Sequence, residues 1–187
     1  ASAWAGVANR VLAAKPGGVV RRTVEAATGV SSVRLLAPFA RQRFSTWFAK
    51  RPKVRITRRR ARVAVFPTCL VEYQEPVIGH ALVKVYERNG IECCVPEGAR
   101  CCGAPYLHSG DIERFADVAR RNVAVLAQCV REGMDVVVPQ ATCGYVLRQE
   151  YPLHVGGAPA DLVAAHTFDA VEYLMTLHQS GAALDTD

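Results

Sequence analysis

"RVAVFPTC", residues 62–69, is the stretch whose reading decides the fold. A short β-branched, apolar run ends at Pro67, and Thr68 and Cys69 fall in the loop behind it. The same grammar repeats downstream. "EPVIGHALVKVYERNG", 75–90, reads as a helix with Pro76 at its start and Gly90 at its end, its apolar face supplied by Val77, Ala81, Leu82 and Val85. "IECCVP", 91–96, reads as a second strand, and the loop 97–110 behind it carries Cys101, Cys102 and Gly103. "DIERFADVARRNVAVLAQCVREG", 111–133, is a long helix capped by Asp111. "DVVVP", 135–139, is a third strand, almost pure valine as in a sheet buried on both faces. Thr142 and Cys143 follow it, then a helix from about Tyr145, and "DLVAAHTFDAVEYLMTLHQSG" closes the chain as one helix.

Strand alternating with helix predicts an α/β fold with a small parallel sheet. In such a sheet the loops behind the strands gather at one edge, where ligands bind. Cys69, Cys101, Cys102 and Cys143 all lie on those loops, so four thiols up to 74 positions apart converge in space. Cys93 and Cys94 fall in a strand and Cys129 in a helix, and these three read as small buried hydrophobes.

The body is preceded by a different kind of sequence. Residues 1–62 carry 15 Lys/Arg and one acid, Glu25, whereas residues 63–187 carry 8 Lys/Arg and 16 acids. A basic, mostly helical arm over 1–61 therefore joins an acidic domain over 62–187. "SAWAGVANRVLAA" places Trp4, Val7, Val11 and Leu12 on one helical face, "KPGG" breaks it, and "VVRRTVEAATG" forms a second short helix ending near Gly29. In "APFARQRFSTWFAKRPK", Pro38 reads as an early-turn residue, with Leu36, Ala40, Phe44, Trp47 and Phe48 on one stripe amid Arg41, Arg43, Lys50 and Arg51. That pattern is read either as a connector packed on the body or as a contact with an anionic membrane or acidic partner, through Arg41, Arg43, Phe44, Trp47 and Phe48. No nucleic-acid motif accompanies the charge, and none is expected as a ligand.

Half the residues are apolar, a globular composition. No apolar run approaches the ~20 residues of a spanning helix. No secretory leader is visible, so a cytoplasmic setting is expected, where clustered cysteines point to metal or redox chemistry and seven of them do not make a paired disulfide framework. Cys69, then 31 residues, then Cys101–Cys102–Gly103, then 39 residues, then Cys143 is too wide for a ferredoxin run, and it lacks a CxxC redox motif. Adjacent cysteines are awkward for tetrahedral zinc but can bind different irons of one cluster, with Gly103 letting backbone approach the sulfides.

These motifs, "FPTCLVEYQEPVIGHALVKVYERNGIE", "RCCGAPYLHSG" and "ATCGYVLRQEYP", resemble the CCG or cysteine-rich domain over roughly residues 62–180. That domain occurs in a heterodisulfide reductase subunit, in glycolate and lactate oxidation iron–sulfur subunits, and in the iron–sulfur subunit of anaerobic glycerol-3-phosphate dehydrogenase, to which the likeness is greatest. The resemblance implies an iron–sulfur electron-transfer subunit with a [4Fe–4S] cluster on Cys69, Cys101, Cys102 and Cys143; His108, five positions after Gly103, is read from its place in the sequence as a hydrogen-bonding neighbour of the cluster. It implies a flavoprotein dehydrogenase partner, a quinone acceptor and a peripheral position on the cytoplasmic membrane. The family motif ends in CxxC, whereas this chain has Val146 at the fifth cysteine, which sets it apart from the non-cubane cluster. A ferredoxin-like region and a second CCG repeat are both missing, so the chain is expected to be an excerpt of a longer protein. The alternatives are a thiol/disulfide redox catalyst of the heterodisulfide reductase kind and a zinc-binding structural module.

Overall fold

The computed structural model describes residues 2–185, with side chains from Ala5 onward, so the Trp4 side chain lies outside the described residues. Helices α1 (Ser2–Leu12), α2 (Val19–Thr28) and α3 (Phe44–Lys50) come first. The body runs β1 (Ala61–Val65), α4 (Cys69–Tyr73), α5 (Pro76–Arg88), β2 (Ile91–Cys94), α6 (Ala104–His108), α7 (Ile112–Arg131) and β3 (Asp135–Val138). Helix α8 (Ala141–Tyr145) then continues through a π turn (Val146–Glu150) into α9 (Tyr151–His154), followed by α10 (Gly157–Ala165), β4 (Thr167–Asp169) and α11 (Ala170–Gln179).

The four strands form one all-parallel sheet in the order β2–β1–β3–β4. Ala64 stands opposite Cys94 on one side and Val136 on the other, so the C-terminal ends of β1, β2 and β3 lie level. The chain steps from β1 outward to β2 and then back across β1 to β3. Right-handed crossovers in opposite directions put the connecting helices on opposite faces. The side-chain alternation of the strands agrees. Ala64, Phe66, Val136 and Val138 pack with α7, while Val63, Val65, Ile91 and Val137 pack with α5.

Sequence and structure part company in four places. Helix α5 buries Gly79, Leu82, Val83 and Tyr86, whereas Val77, Ala81 and Val85 are exposed. The face is set by where Gly79 lets α3 approach, and a glycine is invisible to a hydrophobic count. The closing segment is not one helix but α10, β4 and α11. β4 is only three residues long, and the stop is made by polar groups: Thr167 Oγ1 donates to Val163 O at 2.7 Å. Asp169 then opens α11 with a capping box, accepting from Val171 N at 2.8 Å while Glu172 accepts from Asp169 N at 3.1 Å. Third, α3 begins at Phe44, so Leu36 and Ala40 stand in the coil before it. Fourth, α8 starts at Ala141 and not near Tyr145. Downstream of it the helix widens into the π turn because Pro152 would press its ring on the Arg148 carbonyl in a continuous α-helix.

Helix α3 is fastened to the body by complementary groups. Phe44 is fully buried, and a Cβ on Gly79 would lie 2.5 Å from its ring. Trp47 stacks on His80 with ring centroids 3.8 Å apart. Glu72 accepts from Ser45 N at 3.0 Å and Ser45 Oγ at 2.7 Å, and pairs with Arg43 at 3.7 Å. Arg51 forms a two-pronged pair with Glu87 at 3.0 and 2.5 Å, its guanidinium lying 4.3 Å from the centre of the Phe48 ring. Arg59 and Arg62 both reach Glu92. Much of the basic run is thus neutralised locally by acids of the body. Of the residues read as a membrane or partner contact, Phe44, Trp47 and Phe48 face the body, Arg43 is paired to Glu72, and Arg41 is exposed.

Emptying this socket should be costly. Phe44→Ala is expected to lower unfolding free energy by about 3–5 kcal/mol, as for other fully buried phenylalanines. A urea titration followed by circular dichroism reads it, and a loss below about 1 kcal/mol would mean that α3 is not part of the cooperative unit.

Candidate iron–sulfur site

The site is assembled at the level edge of the sheet by three strand exits. β1 leads through Phe66, Pro67 and Thr68 into α4, whose first residue is Cys69. Thr68 caps that helix, its Oγ1 accepting from Val71 N at 3.3 Å. Cys69 is therefore at a helix start and not on an open loop, and it is exposed. β2 leads to the tight turn that carries Cys101 and Cys102. β3 leads to Cys143 in α8, a residue buried in the core.

The structure brings these four thiols together in a line. Cys69 hydrogen-bonds Cys101, Cys101 hydrogen-bonds Cys102, and Cys102 hydrogen-bonds Cys143. The line alternates in its hold on protons. The hydrogen bond to Cys101, together with burial, pushes the Cys69 thiol up. Hydrogen bonds from Cys102 and Cys69 pull Cys101 down against the cost of burial, and the Gly103 amide adds to this. Cys102 is pushed up by its bonds to Cys101 and Cys143, whereas Cys143 is pulled down by Cys102. Four thiolates so close together in a half-buried site repel one another unless a cationic centre enters, and such a centre would displace the remaining protons. The donor set is all sulfur, which suits iron–sulfur clusters and soft metals. Among the described residues, no three His, Cys, Asp or Glu side chains form a ready-made group for a single metal ion.

Gly103 is required for a reason different from sulfide approach. Its φ is +90°, and a Cβ there would lie 2.8 Å from the Phe115 ring. The residue turns the chain from Cys102 into α6 directly against α7. Above this turn lies a cleft of about 490 Å³ with Cys69 and Cys101 in its lining, bordered by Arg43, Arg100, Phe48 and Tyr73. His108 is exposed at the far end of α6, and Tyr106 and Tyr145 are exposed too. Val146, at the place of the motif's fifth cysteine, is buried in the core among the residues around Cys102 and Cys143.

The other cysteines behave as packing. Cys93 is buried against the α5 face and Cys94 and Cys129 pack on the α7 face. Burial pushes the Cys94 thiol up to about 11 and raises Cys93 and Cys129 as well. Cys94 Sγ sits 3.4 Å from Met134 Sδ, an ordinary sulfur contact in a core.

Two residues around the site escape a reading of the sequence. Asn122, fully buried on α7, accepts from Arg100 N at 2.9 Å and donates to Cys101 O at 3.0 Å, with Arg100 O at 3.4 Å. It also donates to Tyr151 Oη at 2.9 Å, and Tyr151 in turn donates to Cys102 O at 3.0 Å. The one available signal is an asparagine inside the otherwise apolar stripe Phe115–Ala119–Val123–Leu126, where a polar group is costly unless bonded.

Residues 63–148 match the family described as the cysteine-rich domain, CCG. A fumarate reductase (CoM/CoB) subunit of Methanothermobacter marburgensis is 37% identical over 93 residues, 49% of this chain and 18% of that protein. A subunit of the anaerobic glycerol-3-phosphate dehydrogenase of Escherichia coli is 29% identical over 154 residues, 80% of this chain and 37% of that protein. Lactate utilization protein A of Bacillus velezensis is 32% identical over 122 residues, 62% of this chain and 49% of that protein. The chain thus spans half or less of each of these relatives. No solved structure gives a significant match.

The left-handed turn offers a direct check. Gly103→Ala is expected to cost about 1–3 kcal/mol from overpacking at Phe115 plus the strain of a positive φ. Thermal melting of the unloaded chain reads it. An unchanged melting temperature would show that the turn does not hold this geometry.

Proposed function

We propose, from the match of residues 63–148 to the cysteine-rich CCG family, that this chain is the electron-transfer portion of an oxidoreductase, holding an iron–sulfur cluster on Cys69, Cys101, Cys102 and Cys143. The observation that carries the reading is the convergence of these four thiols at one sheet edge, out of seven cysteines spread through the fold. Bound there, the cluster supplies one-electron storage and transfer, and four cysteine ligands suit the [4Fe–4S] type. The chain's own contribution is to hold the four sulfurs, to surround Cys102 and Cys143 with apolar core, and to leave the Cys69 side open. Val146 keeps a fifth sulfur out and favours electron relay over chemistry on a substrate sulfur.

Electron transfer needs a close approach, and the cleft beside Cys69 supplies it. Its lining combines Arg100 and the Arg43–Glu72 pair with Glu97 and the rings of Phe48 and Tyr73, a mixed-charge, partly apolar surface for a partner. A flavoprotein dehydrogenase as donor accords with the three relatives, each named as a reductase or dehydrogenase component or a lactate utilization protein. Quinone is proposed as the acceptor, with the chain peripheral on the cytoplasmic face of the membrane. Among the described residues no helix is long and apolar enough to cross a membrane. Surface attachment would fall to the coil before α3, where Leu35 and Phe39 are exposed near Arg34 and Arg41.

Anaerobic reconstitution with ferrous iron and sulfide tests the reading. The wild-type chain is expected to take up iron and sulfide in cluster stoichiometry and to show thiolate-to-iron absorbance and an electron paramagnetic resonance signal on reduction. Serine at Cys69, Cys101, Cys102 or Cys143 should each abolish or greatly reduce loading, while Cys93→Ala and Cys129→Ala should load normally. A folded wild-type chain that takes up stoichiometric zinc and no iron would overturn it. Leu35→Glu with Phe39→Glu should separately abolish cosedimentation with phosphatidylglycerol vesicles; wild-type chain that stays in the supernatant would remove the membrane part alone.

A further inference from the structure

The turn that carries the adjacent thiols has all its carbonyls occupied on one side. Arg100 O and Cys101 O are taken by the Asn122 amide, and Cys102 O is taken by the Tyr151 hydroxyl. Asn122 Oδ1 closes the loop by accepting from Arg100 N at 2.9 Å. The other side of the same backbone faces the sulfurs. The Gly103 amide donates to the Cys101 sulfur and the Ala104 amide donates to the Cys102 sulfur. A peptide unit is rigid, so anchoring a carbonyl fixes where the next amide points. The carbonyl of Cys102 and the amide of Gly103 belong to one such unit.

We infer that Tyr151, held in place by Asn122, is a positioning residue that anchors the Cys102 carbonyl, aims the Gly103 amide at the Cys101 sulfur and thereby tunes the bound cluster. The inference rests on the reading of these cysteines as cluster ligands, but its structural half concerns the chain alone. Both residues stand where such a role demands. Asn122 and Tyr151 are fully buried, in different elements on the same face of the sheet, and bonded to each other at 2.9 Å. Tyr151 is brought there by the π turn, which adds a residue's advance just before it. Amide donors to thiolate sulfur stabilise the more negative, reduced cluster, so they raise its potential. Without its anchor the turn is free to rotate the Gly103 amide away from the Cys101 sulfur.

Tyr151→Phe keeps the ring and its packing but removes the hydroxyl, and Asn122→Ala removes the other anchor. In the unloaded chain, hydrogen exchange at the Gly103 amide is expected to speed up about tenfold or more in each variant, with exchange in β1 and β3 unchanged. In the reconstituted chain the midpoint potential is expected to fall below wild type, with the same iron content in Tyr151→Phe. Unchanged exchange together with an unchanged potential in folded Tyr151→Phe would overturn the inference. So would a wild-type Gly103 amide that exchanges as fast as in an unstructured peptide, a measurement that does not depend on any variant folding. If the wild type binds no cluster while the Gly103 amide responds as expected, the cluster reading fails and the positioning network stands.

Discussion

β1 is hydrogen-bonded on both edges, and the rest of the molecule follows from that constraint. β1 stands where the chain reverses across the sheet, out to β2 and then back past β1 to β3, so the two right-handed crossovers put α5 and α7 on opposite faces. It must also have its exit flanked by the exits of β2 and β3. Because the three strands end level, Cys69 leaves the middle of the edge while Cys101–Cys102 and Cys143 come in from either side. A sheet ordered in sequence would have spread the same residues along one edge and left them apart.

The charge imbalance of the chain resolves into local contacts. The arm's cations are not held in reserve for a distant partner as a block. Arg43, Arg51, Arg59 and Arg62 find Glu72, Glu87 and Glu92 on the body. The Arg51–Glu87 pair is nearly buried and two-pronged, the geometry in which an ion pair specifies one docking pose. The coil 30–41 is among the parts that remain outward, with apolar and basic residues both exposed. The arm is therefore divided between a part that completes the body and a part that is free to meet another surface.

The elements that local pattern misplaces share a cause. Gly79 carries no hydrophobic signal, yet it decides which face of α5 is buried, because only a missing Cβ admits the Phe44 ring. β4 is three residues set between two helices of compatible pattern, so it becomes a strand only because β3 offers it an edge. Gly103 reads in sequence as a means of backbone approach, whereas its immediate need is clearance from Phe115, which belongs to no motif and sits on another helix. In each case the deciding partner lies outside the local pattern.

Local patterning alone determined the alternation of strand and helix, the parallel sheet and the four cysteines at strand exits. Those depend on β-branched runs, caps and breakers that act within a few residues. Only the tertiary structure decided that Asn122 and Tyr151 hold the cysteine turn and that α3 seats its rings on the body. Each of these is a contact between groups far apart along the chain, and its free energy exists only once the sheet has brought them together.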